Sequence, residues 1–160
     1  MTAIIFLIVN AATGRFLIQS VSMLPTLREG ERVIVDKVSY LFRPPARGDI
    51  VVLAVQGEPE DLIKRVVGLP GEMIEIKDGG VWIDGKPLGE PYAQPSPGAI
   101  AARQLGSDEF FVMGDNRANS KDSRIFGPIR REDIVGRAWI IYWPPSEWGL
   151  VPQPAYAESG

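Results

Sequence analysis

Three segments of this chain carry side chains that could do covalent chemistry. Ser20 and Ser22 lie in SVSMLPTL, Ser20 to Leu27; Lys64 lies in DLIKRVVGLPGE, Asp61 to Glu72; Ser120 lies in VMGDNRANSKDSR, Val112 to Arg124. The chain contains no histidine and no cysteine. That excludes a Ser-His-Asp triad, a cysteine nucleophile, an imidazole-based zinc site and a disulfide framework. A lysine or a carboxylate remains to activate a serine. A lysine amine serves as a base only when neutral, and its unperturbed pKa of about 10.4 leaves it protonated near pH 7. Burial among apolar groups depresses that pKa, so the lysine sought must lie inside an apolar run.

Lys64 meets that condition, between Leu62-Ile63 and Val66-Val67. Read as a strand of period two, Leu62, Lys64 and Val66 share one face while Ile63, Arg65 and Val67 share the other. Lys37 lies in a charged strand, Lys77 and Lys86 flank turn residues, and Lys121 sits in a polar loop. The ordinary reading of a strand lysine is a stem laid over apolar surface with its head in water. The ordinary reading of the Asp- and Asn-rich third segment is a polar turn.

The elements that must position these residues are short strands: Arg32 to Val38, Asp49 to Val55, Leu62 to Val67, Met73 to Lys77, Val81 to Asp84, Phe110 to Met113 and Ile134 to Trp143. They are punctuated by 17 Gly and 14 Pro, with hairpin signals at Asp78-Gly79-Gly80 and Asp84-Gly85. Pro91 to Arg103 reads as a surface loop, and no helical period runs for long beyond the first residues. The pattern predicts a mainly β, antiparallel domain. At 160 residues a single domain can bury roughly 70% of its unfolded surface. A net charge of −3 gives no basic footprint, so nucleic acid is not an expected partner.

Taken together and in this order, the three segments resemble type I signal peptidases, membrane-anchored serine proteases that remove signal peptides from exported proteins. SVSMLPTL is similar to the family's nucleophile box, IKRVVGLPGE to its lysine box and GDNRANSKDSR to its C-terminal box, while RGDIVVL, Arg47 to Leu53, resembles a further family segment. The resemblance implies antiparallel sheets of the signal-peptidase and LexA-like catalytic fold with a small β cap. It implies Ser22 as nucleophile, Lys64 as general base, Ser20 as a side-chain donor to the oxyanion and Ser120 as the hydroxyl that orients the lysine. Asp115, Asp122 and Arg124 match structural polar positions around the site. Phe16, Ile18, Met23, Leu27, Leu62, Ile63 and Val112 match positions of two shallow apolar pockets that admit small residues of the Ala-x-Ala type; core packing is the alternative for each. No metal and no cofactor are implied. Gln19 and Val21 stand where many members have Pro and Gly, and Val21 suits an extended strand.

The expected organisation is an apolar anchor segment over residues 1–18, followed by a catalytic β domain over 19–160 with a cap at about 72–108. A spanning helix needs about 20 apolar residues, whereas Thr2 to Ala12 is shorter, contains Asn10 and soon meets Arg15. A truncated anchor, a marginal anchor that thins the bilayer, a cleaved signal peptide and a buried strand are the competing readings, the first two preferred. Expected partners are signal-peptide-bearing preproteins and the lipid bilayer, with a monomeric chain at the cell membrane and its catalytic domain on the extracytoplasmic side. Trp139, Trp143 and Trp148 could touch the bilayer interface or cover a surface edge. A soluble self-cleaving protease of the LexA type and a non-catalytic membrane-tethered β module are the alternative functions.

Overall fold

The computed structural model describes residues 12–154 and residue 156. Among these residues twelve strands form: β1 (Thr13–Leu17), β2 (Arg32–Asp36), β3 (Ile50–Leu53), β4 (Leu62–Gly68), β5 (Met73–Lys77), β6 (Gly80–Ile83), β7 (Lys86–Pro87), β8 (Ile100–Gln104), β9 (Glu109–Met113), β10 (Ile129–Arg130), β11 (Ile134–Trp143) and β12 (Gly149–Leu150). A single helical turn, α1 (Ser123–Phe126), follows β9. The larger sheet runs β1-β2-β11-β3-β4-β9-β10 with β12 on β11, and the smaller runs β7-β6-β5-β8. All pairings are antiparallel among the described residues.

The central strands form where β-branched residues concentrate, Ile50, Val51 and Val52 in β3 and Ile63, Val66 and Val67 in β4. In β3 all four residues are buried, and in β4 every residue after Leu62 is, as expected of strands covered on both faces. Two clusters flank the larger sheet, one built on Ile18, Met23, Leu27, Val33, Val35 and Ile50, the other on Val51, Leu53, Val66, Phe110 and Val112. A third, with Val67, Phe111 and Met113 against Ile74, Ile76 and Val81, fastens the smaller sheet to β4 and β9. The smaller sheet lies wholly between residues 73 and 104. Its hairpins turn at Asp78-Gly79 and Asp84-Gly85, all four residues at positive φ, the geometry that tight β-hairpins require.

Several elements differ from the sequence expectation. Residues 13–17 of the expected anchor form β1, paired with β2 from Thr13↔Asp36 to Leu17↔Arg32. The reason is alternation: Arg15 and Leu17 face outward while Phe16 packs on the core, a period of two that a spanning helix would not tolerate. Residues 1–11 of that segment lie outside the described residues. No helix among the described residues is long and apolar enough to cross a membrane. The last part of the expected 91–103 loop is strand β8, an edge strand with four of its five residues exposed, which leaves no apolar alternation to read. β2 stops at Asp36 because its carboxylate accepts the N–H groups of Val38 and Ser39 at 2.9 and 3.0 Å, a side-chain turn that competes with the ladder.

Candidate functional site

β1 leads into the serine segment, which does not continue as a strand. Residues 21–27 wind into turns, with Leu24 N–H donating to Val21 O at 3.2 Å and Leu27 N–H to Met23 O at 2.9 Å. Met23 and Leu27 are fully buried and pin this winding to the core, while Ser22 is left facing β4. On β4, the Lys64 amine donates to Ser22 Oγ at 3.0 Å and to Ile63 O at 2.8 Å. Ser20 Oγ is 3.1 Å from Ser22 Oγ. Two hydroxyls and one amine, 42 residues apart in sequence, therefore meet at one point.

The electrostatics of that point are set by burial. Lys64 is 3% exposed and Ser22 5%, and Lys64 makes no ion pair with a carboxylate among the described residues. Desolvation pulls its amine down from 10.5 to about 8, against the opposing influence of the Asp122 and Glu58 carboxylates. The amine is thus substantially neutral in mildly alkaline solution, within hydrogen-bond distance of a serine hydroxyl.

The third segment, 114–124, holds this arrangement from behind. Asn116 N–H donates to Ser22 O at 3.0 Å, and its side-chain amide donates to Val21 O at 3.1 Å. Gly114 is required for that approach: a Cβ there would stand 2.5 Å from Ser22 O and 2.6 Å from Ser120 Cβ. Asp115 joins all three segments, accepting from Thr26 Oγ1 at 2.6 Å and from Arg65 Nε and Nη2 at 2.8 and 2.7 Å. Asp122 accepts from Gly114 N–H at 2.9 Å and from Arg124 Nε and Nη2, both at 2.9 Å. Burial alone would push its carboxyl up, but these bonds outweigh it and hold it below the usual carboxylate range.

The Ser120 hydroxyl is bonded to a different partner from the expected lysine. Its hydroxyl donates to Asp122 Oδ2 at 2.7 Å rather than to the lysine, because Asp122 is the stronger acceptor and lies two residues away.

A cleft of about 500 Å³ opens on this point, with Arg15, Phe16, Leu17, Gln19 and Ser20 on one wall and Glu60, Asp61, Leu62, Ile63 and Lys64 on the other. β1 has β2 as its strand neighbour, and β9 pairs β4 only from Arg65 onward. Among the described residues, no further strand pairs with Arg15 to Leu17 of β1 or with Leu62 to Lys64 of β4 along the cleft. Of the expected pocket residues, Phe16, Leu62 and Ile63 line it. Ile18, Met23 and Leu27 do not; they are core, because the turn 21–27 carries the last two inward. Val112 is also core, paired across from Val66.

Gly114, Asn116, Thr26 and Arg65 are the positioning residues that sequence reasoning missed. All four lie inside the three segments singled out in the sequence, but their partners, up to 95 residues away, leave no local signal of these roles. No cluster of acidic side chains able to hold a metal ion occurs among the described residues.

Residues 1–143 match the family described as signal peptidase, peptidase S26. Signal peptidase I of Leptolyngbya laminosa is 46% identical over 149 residues, spanning 87% of this chain and 73% of that protein. A probable signal peptidase I-1 of Synechocystis sp. is 45% identical over 141 residues, spanning 82% of this chain and 72% of that protein. The crystal structure of a signal peptidase I from Enterococcus faecalis is similar with a TM-score of 0.54 and 27% identity, over 59% of this chain and 97% of that chain.

Proposed function

The chain belongs to the signal peptidase family, peptidase S26, and we propose that it cleaves N-terminal signal peptides from exported preproteins after small residues, with Ser22 and Lys64 as its catalytic pair. The observation that carries this reading is the nearly water-free contact between the Lys64 amine and Ser22 Oγ at 3.0 Å. The neutral amine accepts the hydroxyl proton as Ser22 attacks the scissile carbonyl. The resulting ammonium then protonates the leaving amine of the mature protein, and an acyl-enzyme remains on Ser22. A water that has given its proton to the same amine releases the signal peptide.

Ser20 stands beside the attacking oxygen, where its hydroxyl and the backbone N–H of Ser22 would hold the developing oxyanion. Such a donor is commonly worth about 3–4 kcal/mol in the transition state. The stretches Arg15 to Leu17 and Leu62 to Lys64 along the cleft suit a substrate bound in extended form by main-chain hydrogen bonds. Phe16 and Leu62 on its walls leave room for small side chains such as alanine and exclude larger ones.

The substrate would be met at a membrane. Trp143 and Trp148 are 49% and 74% exposed, and Leu17 and Val21 beside the cleft are 43% and 42% exposed. Exposed apolar and aromatic side chains of this kind suit the bilayer interface and would bring the cleft to preproteins held there, on the extracytoplasmic side. Binding of the chain from residue 12 onward to lipid vesicles tests this, and a chain that stays in the supernatant would refute it.

The decisive experiment for the chemistry is cleavage of a preprotein in detergent by the wild type, Ser22→Ala and Lys64→Ala. Activity is expected for the wild type alone; full activity in either variant would refute the Ser-Lys mechanism.

A further inference from the structure

We propose that Glu58 and Lys121 are positioning residues of this site, their ion pair tying the loop that enters β4 to the loop that carries Ser120 and fixing the charge that surrounds the Lys64 amine. The inference rests on the reading of Lys64 as the base. Lys121 Nζ lies 2.5 Å from Glu58 Oε1. Glu58 belongs to the connection between β3 and β4, and Lys121 stands between Ser120 and Asp122, whose side chains bond each other at 2.7 Å. The pair therefore joins the two loops that flank the reactive contact.

The two ends of the pair are unequal. The Glu58 side chain is 13% exposed and that of Lys121 is 55% exposed, so a nearly dry carboxylate is capped from the solvent side. The charge of Glu58 acts on the Lys64 amine through space in the direction that favours its protonated form, as does that of Asp122. The remaining charges around the amine are accounted for. Asp122 is neutralised within its own loop by Arg124 at 2.9 Å, and Arg65, next along β4, by Asp115 at 2.7 Å. Arg15, Glu60 and Asp61 line the open cleft, where water screens them. Glu58 alone depends on a cation from the opposite loop, so this pair sets a charge that no other contact compensates.

Exposed ion pairs add little to stability; the consequence is read at the amine. The test is the pH dependence of kcat/KM for preprotein cleavage by the wild type, Lys121→Ala, Glu58→Gln, the double variant and Lys121→Arg. Lys121→Ala leaves the Glu58 charge uncompensated, so the acid limb moves to higher pH. Glu58→Gln removes that charge, so the limb moves to lower pH. Each shift changes kcat/KM on the limb by about twofold, the scale of a partly exposed charge interaction. The double variant falls between the two and Lys121→Arg keeps the wild-type profile. Movement of both single variants in the same direction, or a uniform loss of rate with the limb unmoved, would overturn the proposal, since a change of loop shape alone produces those results. A wild-type profile without an acid limb would instead refute Lys64 as the base, and this inference with it.

Discussion

Lys64 and Arg65 are neighbours on β4, both almost wholly buried at 3% and 1% exposure, and they solve the burial of a cation in opposite ways. Arg65 keeps its charge, with the Asp115 carboxylate at 2.7 Å and Gly48 O at 2.9 Å. Lys64 has a hydroxyl and a carbonyl as partners, so its cheapest response to burial is to give up the proton. Alternation of the strand sends one side chain to a structural ion pair and the next to a reactive contact.

The first prediction concerns pH. Burial brings the Lys64 amine down to about 8, and only the neutral amine can take the serine proton. Preprotein cleavage should therefore rise about tenfold per pH unit on the acid side and level off above that value. A kcat/KM profile flat across this range would remove Lys64 from the role of base.

The same amine should cost stability. Its folded-state pKa is lowered from 10.5 to about 8, so between those values the unfolded chain binds more protons and stability rises with pH. Below about pH 8 the penalty is fully present, about 3 kcal/mol at 1.36 kcal/mol per pH unit. Lys64→Met should unfold at higher urea than the wild type near neutral pH, with the gain fading above pH 10. A variant less stable than the wild type at both pH values would contradict this.

The Arg65–Asp115 pair yields a prediction of the opposite sign. Asp115→Asn keeps the shape but strands a buried guanidinium, and breaking such pairs costs about 3–5 kcal/mol. Because Asp115 also accepts from Thr26, the serine segment should loosen with it. Chemical denaturation should report the loss, and a change below about 1 kcal/mol would show that the pair carries little.

Gly114→Ala should act on geometry. The added methyl meets Ser22 O and Ser120, so the serine segment must move away from β9. A misplacement of about 1 Å commonly costs on the order of a hundredfold in rate, together with about 1–3 kcal/mol from overpacking. The check is kcat/KM at a temperature where circular dichroism shows the variant folded; wild-type activity would mean that the backbone can yield there without cost.

Strands rich in β-branched, aromatic or alternating apolar residues were legible in the sequence because their identity is local: β3, β4, β5, β9 and β11 lie within a residue or two of expectation. β1 and β8 were not, since Thr13-Gly14-Arg15 and Ala101-Ala102-Arg103 acquire their strand character from the neighbours β2 and β5. At the site, the serine and lysine segments were visible as unusual placements of polar residues in apolar surroundings. The partners that fix them were not. Nothing in the local sequence of Asn116 announces that its amide will reach Val21 O, and Ser120 could not be assigned to Asp122 rather than to Lys64 without the turn that brings them together. Burial of Met23 and Leu27, expected to line a pocket, follows from the winding of 21–27, which SVSMLPTL does not reveal by period.

The smaller sheet has a narrow neck. The chain leaves the larger sheet after Gly68 and returns at Glu109, on strands that are themselves hydrogen-bonded neighbours, so everything between is a loop closed by a single ladder. Its own ladders run only among β5, β6, β7 and β8. Lengthening or trimming a hairpin tip at Asp78-Gly79 or Asp84-Gly85 therefore leaves the register of β4 against β9 untouched. The fold can thus reshape the outer sheet while the strand that carries Lys64 stays where it is.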